Sequence, residues 1–366
     1  MAEAPQTSEI TLESIALESI GGWPELISSL LDRRDLDAAH ARAAMTNILA
    51  GSATPAQLIG FVVALRAKGE TPEELSGLLD AVLEAATLVP LDDATRERAI
   101  DIVGTGGDRS HSINVSTMSA IVVAGAGVPV CKHGARAASS QCGTADVLEA
   151  LGVAVELSPE GVKQCVERAG MGFCLAARYH PAFRFAAPSR REIGVPTVFN
   201  LLGPMANPGR VKRQLIGVAN PLVAERMLAS LRLHGSKSSW VVHGGGLDEL
   251  TTTGPSTVLE LRGGQVRTFS VNPVALGLAP AISEELVGGT PAFNADVVRR
   301  VMAGEQGAHR NIVVLNAGAG LVVADVASSL EEGVAMAAES IDSGRANETL
   351  SKLITESQAA LAEFGA

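Results

Sequence analysis

Behind Thr71-Pro72-Glu73-Glu74, apolar residues recur at three- and four-residue spacing. Leu75, Leu78, Leu79, Val82, Leu83 and Ala86 would share one face of a helix. The four residues in front form a capping box, with proline at the first helical position, where its missing N–H costs nothing. Thr54-Pro55-Ala56-Gln57 repeats that start signal before Leu58, Phe61, Val62 and Leu65. Segments 23–31 and 36–49 read as two further helices. Residues 1–95 are therefore expected to form a small all-helical domain.

After Leu91 the pattern changes. Short β-branched runs at 99–103, 128–131, 153–157, 172–176, 215–219, 240–243 and 311–316 read as strands. Alanine-rich helical intervals at 116–126, 146–151 and 159–169 separate the earlier ones. Strands alternating with helices imply a mainly parallel sheet covered by helices. The expected fold class is α/β: a small N-terminal all-helical domain plus a larger α/β domain over 96–366. Part of 180–210 is expected to pack near the helical domain, which offers a surface for dimerisation.

Composition narrows the choices. Of 366 residues 46% are apolar and 3% aromatic, so alanine, valine, leucine and glycine must fill the interior. The longest apolar run, 119–130, is too short and too broken by glycine to cross a membrane. The first residues (MAEAPQTSEITLE) lack the basic and apolar regions of a secretion signal. Cys131, Cys142, Cys165 and Cys174 show no C-x-x-C spacing, so neither zinc nor a disulfide framework is indicated. A reduced, cytoplasmic protein is expected. Its net charge of −11 argues against nucleic-acid binding.

Four stretches carry candidate chemistry. "DIVGTGGDRSHSINVST" (101–117) opens as a strand and ends where a helix should start. Its glycines let backbone amides approach an anion, and the helix start favours phosphate; a tight strand-to-helix turn capped by Ser116 is the plainer alternative. "CKHGARAASSQCG" (131–143) gathers Lys132, His133 and Arg136 among small residues. Lysine suits a diphosphate as a point charge, although an exposed basic loop would look the same. "VVHGGGLDEL" (241–250) ends a strand with adjacent carboxylates, which fit Mg²⁺ beside a phosphate or else the first turn of a solvated helix. "PSRREIGVPTVFNLLGPMANP" (188–208) carries Arg190 and Arg191, which suit either a carboxylate or solvent.

Together and in this order, these stretches resemble the anthranilate phosphoribosyltransferase family. D-x-V-G-T-G-G-D, N-x-S-T, K-H-G-x-R-A-A-S-S, R-R-E-x-G and G-L-D-E-L carry the likeness, from about Trp23 to the C-terminal region. The resemblance implies a helical domain joined to an α/β domain, a homodimer, phosphoribosyl diphosphate as donor, anthranilate as acceptor, and two Mg²⁺ ions. It implies donor contacts from Gly104, Gly107, Asp108, Ser112, Asn114, Val115, Ser116 and Thr117. It continues them through Lys132, His133, Gly134, Ala135, Arg136, Ala137, Ala138, Ser139, Ser140 and Thr144. Ser116 and Glu249 would hold one Mg²⁺, and Asp248 and Glu249 the other. Lys132, Asp248 and Glu249 would act electrostatically, with no general base, while Gly104, Ala135 and Arg190 would face anthranilate. The chain departs from the family in two places: Ala135 stands where the family carries asparagine, and Met205-Ala206 where leucine-threonine is commoner. A paralogue using another aromatic amine, a nucleoside phosphorylase of the same architecture and a silent donor-binding protein are the alternatives.

Overall fold

The computed structural model describes residues 16–137 and 141–365. The acidic start of the chain, and Ala138, Ser139 and Ser140, lie outside the described residues.

Four helices open the structure: α1 (Gly22–Leu31), α2 (Ala38–Leu49), α3 (Pro55–Lys68) and α4 (Pro72–Glu84). Both expected capping boxes form. Thr71 Oγ1 accepts the Glu74 N–H while the Glu74 carboxylate accepts the Thr71 N–H, and Thr54 and Gln57 do the same for α3. Glu74 does more than cap. Its buried carboxylate also accepts the Leu36 N–H at 2.9 Å and the Lys68 ammonium at 3.0 Å, tying α4 to α3 and to the segment leading into α2. Leu75, Leu78, Leu79 and Val82 are buried, as their spacing requires. Truncating any of these leucines to alanine would cost about 2–5 kcal/mol.

A seven-stranded sheet follows, made of β1 (Ile100–Gly104), β2 (Val130–Gly134), β3 (Met171–Leu175), β4 (Arg213–Gly217), β5 (Ser238–His243), β6 (Ser256–Arg262) and β7 (Gln265–Val271). Its order is β3-β2-β1-β4-β5-β6-β7. The first five strands in that order are parallel, and β6 and β7 add on antiparallel. Successive side chains go to opposite faces, and two cores result. Ile100, Ile102, Leu215, Trp240, Val242 and Val258 enter one core together with the buried helices Val115–Gly125 and Ala308–Val323. Val103, Ile216, Val241, Leu259 and Leu261 enter the other, which holds the N-terminal helices, the helix Val198–Met205 and the helix Ala224–Leu233. The helical bundle is thus fused to one sheet face through residues 186–231.

Two expected strands are absent. Residues 311–316 lie inside the helix Ala308–Val323. That helix is apolar on every side because it is buried on every side, so its valine-rich run has no helical stripe to read. Residues 153–157 form no ladder. Some of their polar groups go elsewhere: Val153 N–H donates to the Leu148 carbonyl, Ala154 N–H to Ser357 Oγ, and the Leu157 carbonyl accepts from Arg178 and Tyr179. The hairpin β6–β7 was not expected. Its two-residue turn is Gly263-Gly264, with φ of 56° and 79°, a conformation that favours glycine. Among the described residues no helix is long and apolar enough to cross a membrane.

Candidate active site

Parallel strands end together, and here the carboxyl ends of β1, β2 and β5 bring three of the four motifs to one place. The loops after β1 and β2 and the turn after β5 line a cleft of about 400 Å³. It is lined by Gly104, Gly107, Asp108, Ser112, Asn114, Val115, Ser116, Lys132, His133, Gly134, Ala135, Arg136, Ala137, Thr144, Asp248 and Glu249, all named by the resemblance. Thr117 and Arg190 do not line it.

Two glycines make room for the acidic turn. Gly104 and Gly217 face each other in register at the ends of β1 and β4. A Cβ on Gly104 would stand 2.2 Å from Asp248 Oδ2, and one on Gly217 only 1.6 Å from the Asp248 carbonyl oxygen. The first clash would displace the Asp248 carboxylate, and the second could not be relieved without moving the turn's backbone. The sequence resemblance gave Gly104 a substrate-facing role, and the structure shows a packing reason for it as well.

The acidic centre is poorly neutralised. Asp248 Oδ2 accepts the Gly106 N–H at 2.7 Å. Burial drives its pKa up to about 7, and the neighbouring Asp108 pushes the same way. Glu249 is raised well above the usual carboxylate range, first by burial and then by Asp248, with Lys132 and the Ser116 N–H opposing. The Ser116 amide opens the helix Val115–Gly125, so this helix start faces the protein's own carboxylate. Asn114 occupies the cap position without capping: its Oδ1 accepts from Asn294 at 2.8 Å. Thr117 turns inward, and its hydroxyl is buried without a partner among the described residues.

The basic stretch disperses. Lys132 is 1% exposed. Its ammonium donates to the Ile102 carbonyl and, at 3.2 Å, to Ser116 Oγ. Burial lowers its pKa, while Asp101 and Glu249 hold the charge in place. His133 is buried too, its ring bonded to the Gly203 carbonyl at 3.1 Å and 5.0 Å from that of His180. Burial pushes both imidazoles down, His180 to about 4, so they are neutral near pH 7. Arg136 lines the cleft, but its guanidinium is engaged by Glu149, Glu156 and Asp146.

Arg190 lies on the helix Ala187–Ile193, its guanidinium 4.8 Å above the Phe199 ring. Burial lowers its pKa, and it makes no ion pair with a described carboxylate. Asn200, on the next helix, does reach the cleft. Two residues that sequence reasoning passed over hold the floor. Asp101, at the start of β1, is fully buried and accepts from the His133 N–H at 3.1 Å and from Asn207 at 2.7 Å. Asn207 also donates to the Cys131 carbonyl at 2.8 Å. Both lay within the quoted motifs; the only signal was a polar residue inside an apolar strand for Asp101, and Asn207, in the loop after the helix Val198–Met205, carried none. Burial lifts the Asp101 carboxyl to about 6 against the pull of Lys132.

Comparison with known proteins shows which family shares this sequence and fold. The helical bundle domain of a glycosyl transferase family matches residues 24–86, and its a/b domain matches residues 96–347. The anthranilate phosphoribosyltransferase of Salinispora arenicola is 49% identical over 338 residues, 91% of this chain and 96% of that one. The crystal structure of anthranilate phosphoribosyltransferase from Thermus thermophilus superposes with a TM-score of 0.86 at 40% identity, covering 91% of this chain and 99% of the other. The Saccharomyces cerevisiae enzyme in complex with PRPP and Mg gives a TM-score of 0.83 at 27% identity, covering 92% and 98%. With two-domain matches along its length and near-half identity over nine-tenths of it, the chain belongs to the anthranilate phosphoribosyltransferase family.

Proposed function

We propose that this cleft transfers the phosphoribosyl group of 5-phosphoribosyl 1-diphosphate to the amine of anthranilate, giving N-(5-phosphoribosyl)anthranilate and diphosphate in tryptophan biosynthesis. The observation that carries the proposal is the buried Asp248-Glu249 pair, short of neutralising partners and facing the glycine loop. Among the described residues no three His, Cys, Asp or Glu side chains cage a metal by themselves. Magnesium needs less, since one or two carboxylates plus substrate phosphate oxygens suffice. A cation beside Asp248 and Glu249 would relieve the burial that pushes both toward protonation, so the oxygen-only donor set fits Mg²⁺. Ser116 with Glu249 would hold one ion, and Asp248 with Glu249 a second.

Bound Mg²⁺ supplies charge stabilisation to the departing diphosphate. The chain's own residues do the rest. Gly106 and Gly107, at φ of 68° and 78°, have open space above them, where a diphosphate can approach the backbone closely. Lys132 orients the Ser116 hydroxyl from below and adds positive potential without touching solvent. The aromatic amine of anthranilate is nucleophilic when neutral, so positioning against the anomeric carbon replaces a protein base. His133 is held neutral and is a shaping group for the acceptor side. Arg190, lacking a carboxylate partner, would take the carboxylate of anthranilate once acceptor binding or domain closure brings the two together. The working form is a homodimer in the cytoplasm.

Loss of anthranilate fluorescence on mixing protein, both substrates and Mg²⁺ tests the reading. Turnover abolished by EDTA is expected. No turnover with anthranilate, but diphosphate release with other aromatic amines, would keep the donor assignment and replace the acceptor.

A further inference from the structure

A diphosphate entering this cleft meets Asp108, Asp248 and Glu249, three carboxylates, and needs fixed positive charge to offset them. The cleft is lined by five cationic or protonatable side chains: Arg109, His111, Lys132, His133 and Arg136. Three of these are committed elsewhere. Lys132 is buried against Ile102 and Ser116, His133 is buried and held neutral, and Arg136 is engaged by Glu149, Glu156 and Asp146. Arg109 and His111 remain. Both are exposed, and neither side chain bonds or pairs with any described residue. Of the two, only Arg109 carries a planar fork of five N–H donors.

The backbone points the same way. Arg109 sits at φ 59° and His111 at φ 53°, the left-handed region that glycine occupies freely and other residues rarely enter. Strain of that kind persists where the surroundings impose it, and it clusters at ligand-binding segments. The alternation of Gly106, Gly107, Arg109 and His111 at positive φ curls the loop around the cleft mouth, one residue from Asp108.

We propose that Arg109 is the donor-binding cation of this site, its guanidinium fork taking the diphosphate group beside the carboxylates that hold Mg²⁺. This rests on the phosphoribosyl-transfer reading. An arginine fork pairs with phosphate oxygens bidentately, which a lone ammonium cannot do. The consequence is that affinity for the anionic end of the donor is carried by a loop side chain, while Lys132 serves the floor of the site.

The test uses inorganic diphosphate with Mg²⁺ as the probe, titrated calorimetrically into wild-type protein, Arg109→Gly, Arg109→Gln and Arg109→Lys. Arg109→Gly should bind diphosphate about tenfold more weakly, the loss expected of one charge-assisted contact. Its melting temperature should hold or rise, because φ 59° suits glycine. Opposite signs on affinity and stability are what a purely structural role would not give. Arg109→Gln should lose as much as glycine, and Arg109→Lys less. In steady state the KM for phosphoribosyl diphosphate should rise by a similar factor while the KM for anthranilate moves less than about twofold. Glycine and glutamine variants binding diphosphate as wild type would overturn the inference. If wild-type protein turns over both substrates and those variants still bind normally, the inference fails and the function stands. If wild-type protein shows no turnover yet the variants lose diphosphate, the anion site stands and the function fails.

Discussion

The acidic turn 248–249 and the basic stretch 132–136 look like mirror images in the sequence, each a short run of like charge after a strand. The fold treats them oppositely. The basic stretch has its charges spent: Lys132 lies on internal oxygens, His133 is neutral, and Arg136 lies among three carboxylates. The acidic turn is only partly compensated, by backbone N–H groups and, for Glu249, by Lys132, while burial works against ionisation. A charge run marks a ligand site only where the surroundings leave it short of partners. On the proposed function, the acids would act on the ligand directly and Lys132 through Ser116 and the potential it adds.

Disturbing the acidic turn should do the most damage. Gly217→Ala would drive a methyl into the Asp248 carbonyl. A displacement of about 1 Å there should lower kcat about 100-fold or more, measured by anthranilate fluorescence, with secondary structure retained by circular dichroism. An active Gly217→Ala enzyme would mean the turn is not held where the chemistry needs it.

On the basic side the loss should appear in stability. Asp101→Asn leaves the buried Lys132 with less opposing charge and should cost about 3 kcal/mol of unfolding free energy in urea titrations. Arg136→Ala, on a half-exposed guanidinium, should cost at most about 1 kcal/mol and raise the donor KM less than Arg109→Gln does.

A pH series sharpens the contrast. Burial keeps Asp248 protonated in the fold up to about pH 7, whereas in the unfolded chain it releases its proton near the ordinary aspartate value of 3.8. The folded state therefore binds more protons between those limits, and this group lowers stability as pH rises through them. Asp248→Asn removes the penalty. In metal-free protein its melting temperature should gain on wild type between pH 4 and pH 7 and hold the gain above. A constant difference would show that Asp248 ionises normally in the fold.

The smallest effect concerns the acceptor. Ala135→Asn should lower the KM for anthranilate more than that for the donor, by the worth of one hydrogen bond, about two- to tenfold. Equal constants would show that position 135 does not reach the acceptor.

What the sequence revealed depended on how local the signal was. The starts of α3 and α4 were legible because threonine, proline and an acid or amide three residues after the threonine act on one another directly. Phosphate-loop, K-H-G and G-L-D-E motifs were legible as residues at strand ends, which parallel topology brings together. The helix 308–323 was misread because full burial erases the periodicity that separates helix from strand. Lys132 was legible as a charge but not in its direction, since that depends on Ile102 and Ser116, 30 and 16 positions away. Asp101 and Asn207 share that limit: they meet across 106 positions, and nothing near either announces the partner.

The most direct test of the account is the double variant Asp248→Ala/Glu249→Ala, assayed by anthranilate fluorescence at saturating donor across a Mg²⁺ titration, with its melting temperature recorded alongside. Removing both acids relieves the burial of Asp248 but takes from Lys132 part of its opposing charge, so the variant should stay folded with a melting temperature close to wild type. Turnover should fall about 1,000-fold or more, the loss of several kcal/mol of transition-state stabilisation, and should not be recovered by added metal. A folded double variant with near-normal, Mg²⁺-dependent turnover would contradict the assignment of these carboxylates to the reaction.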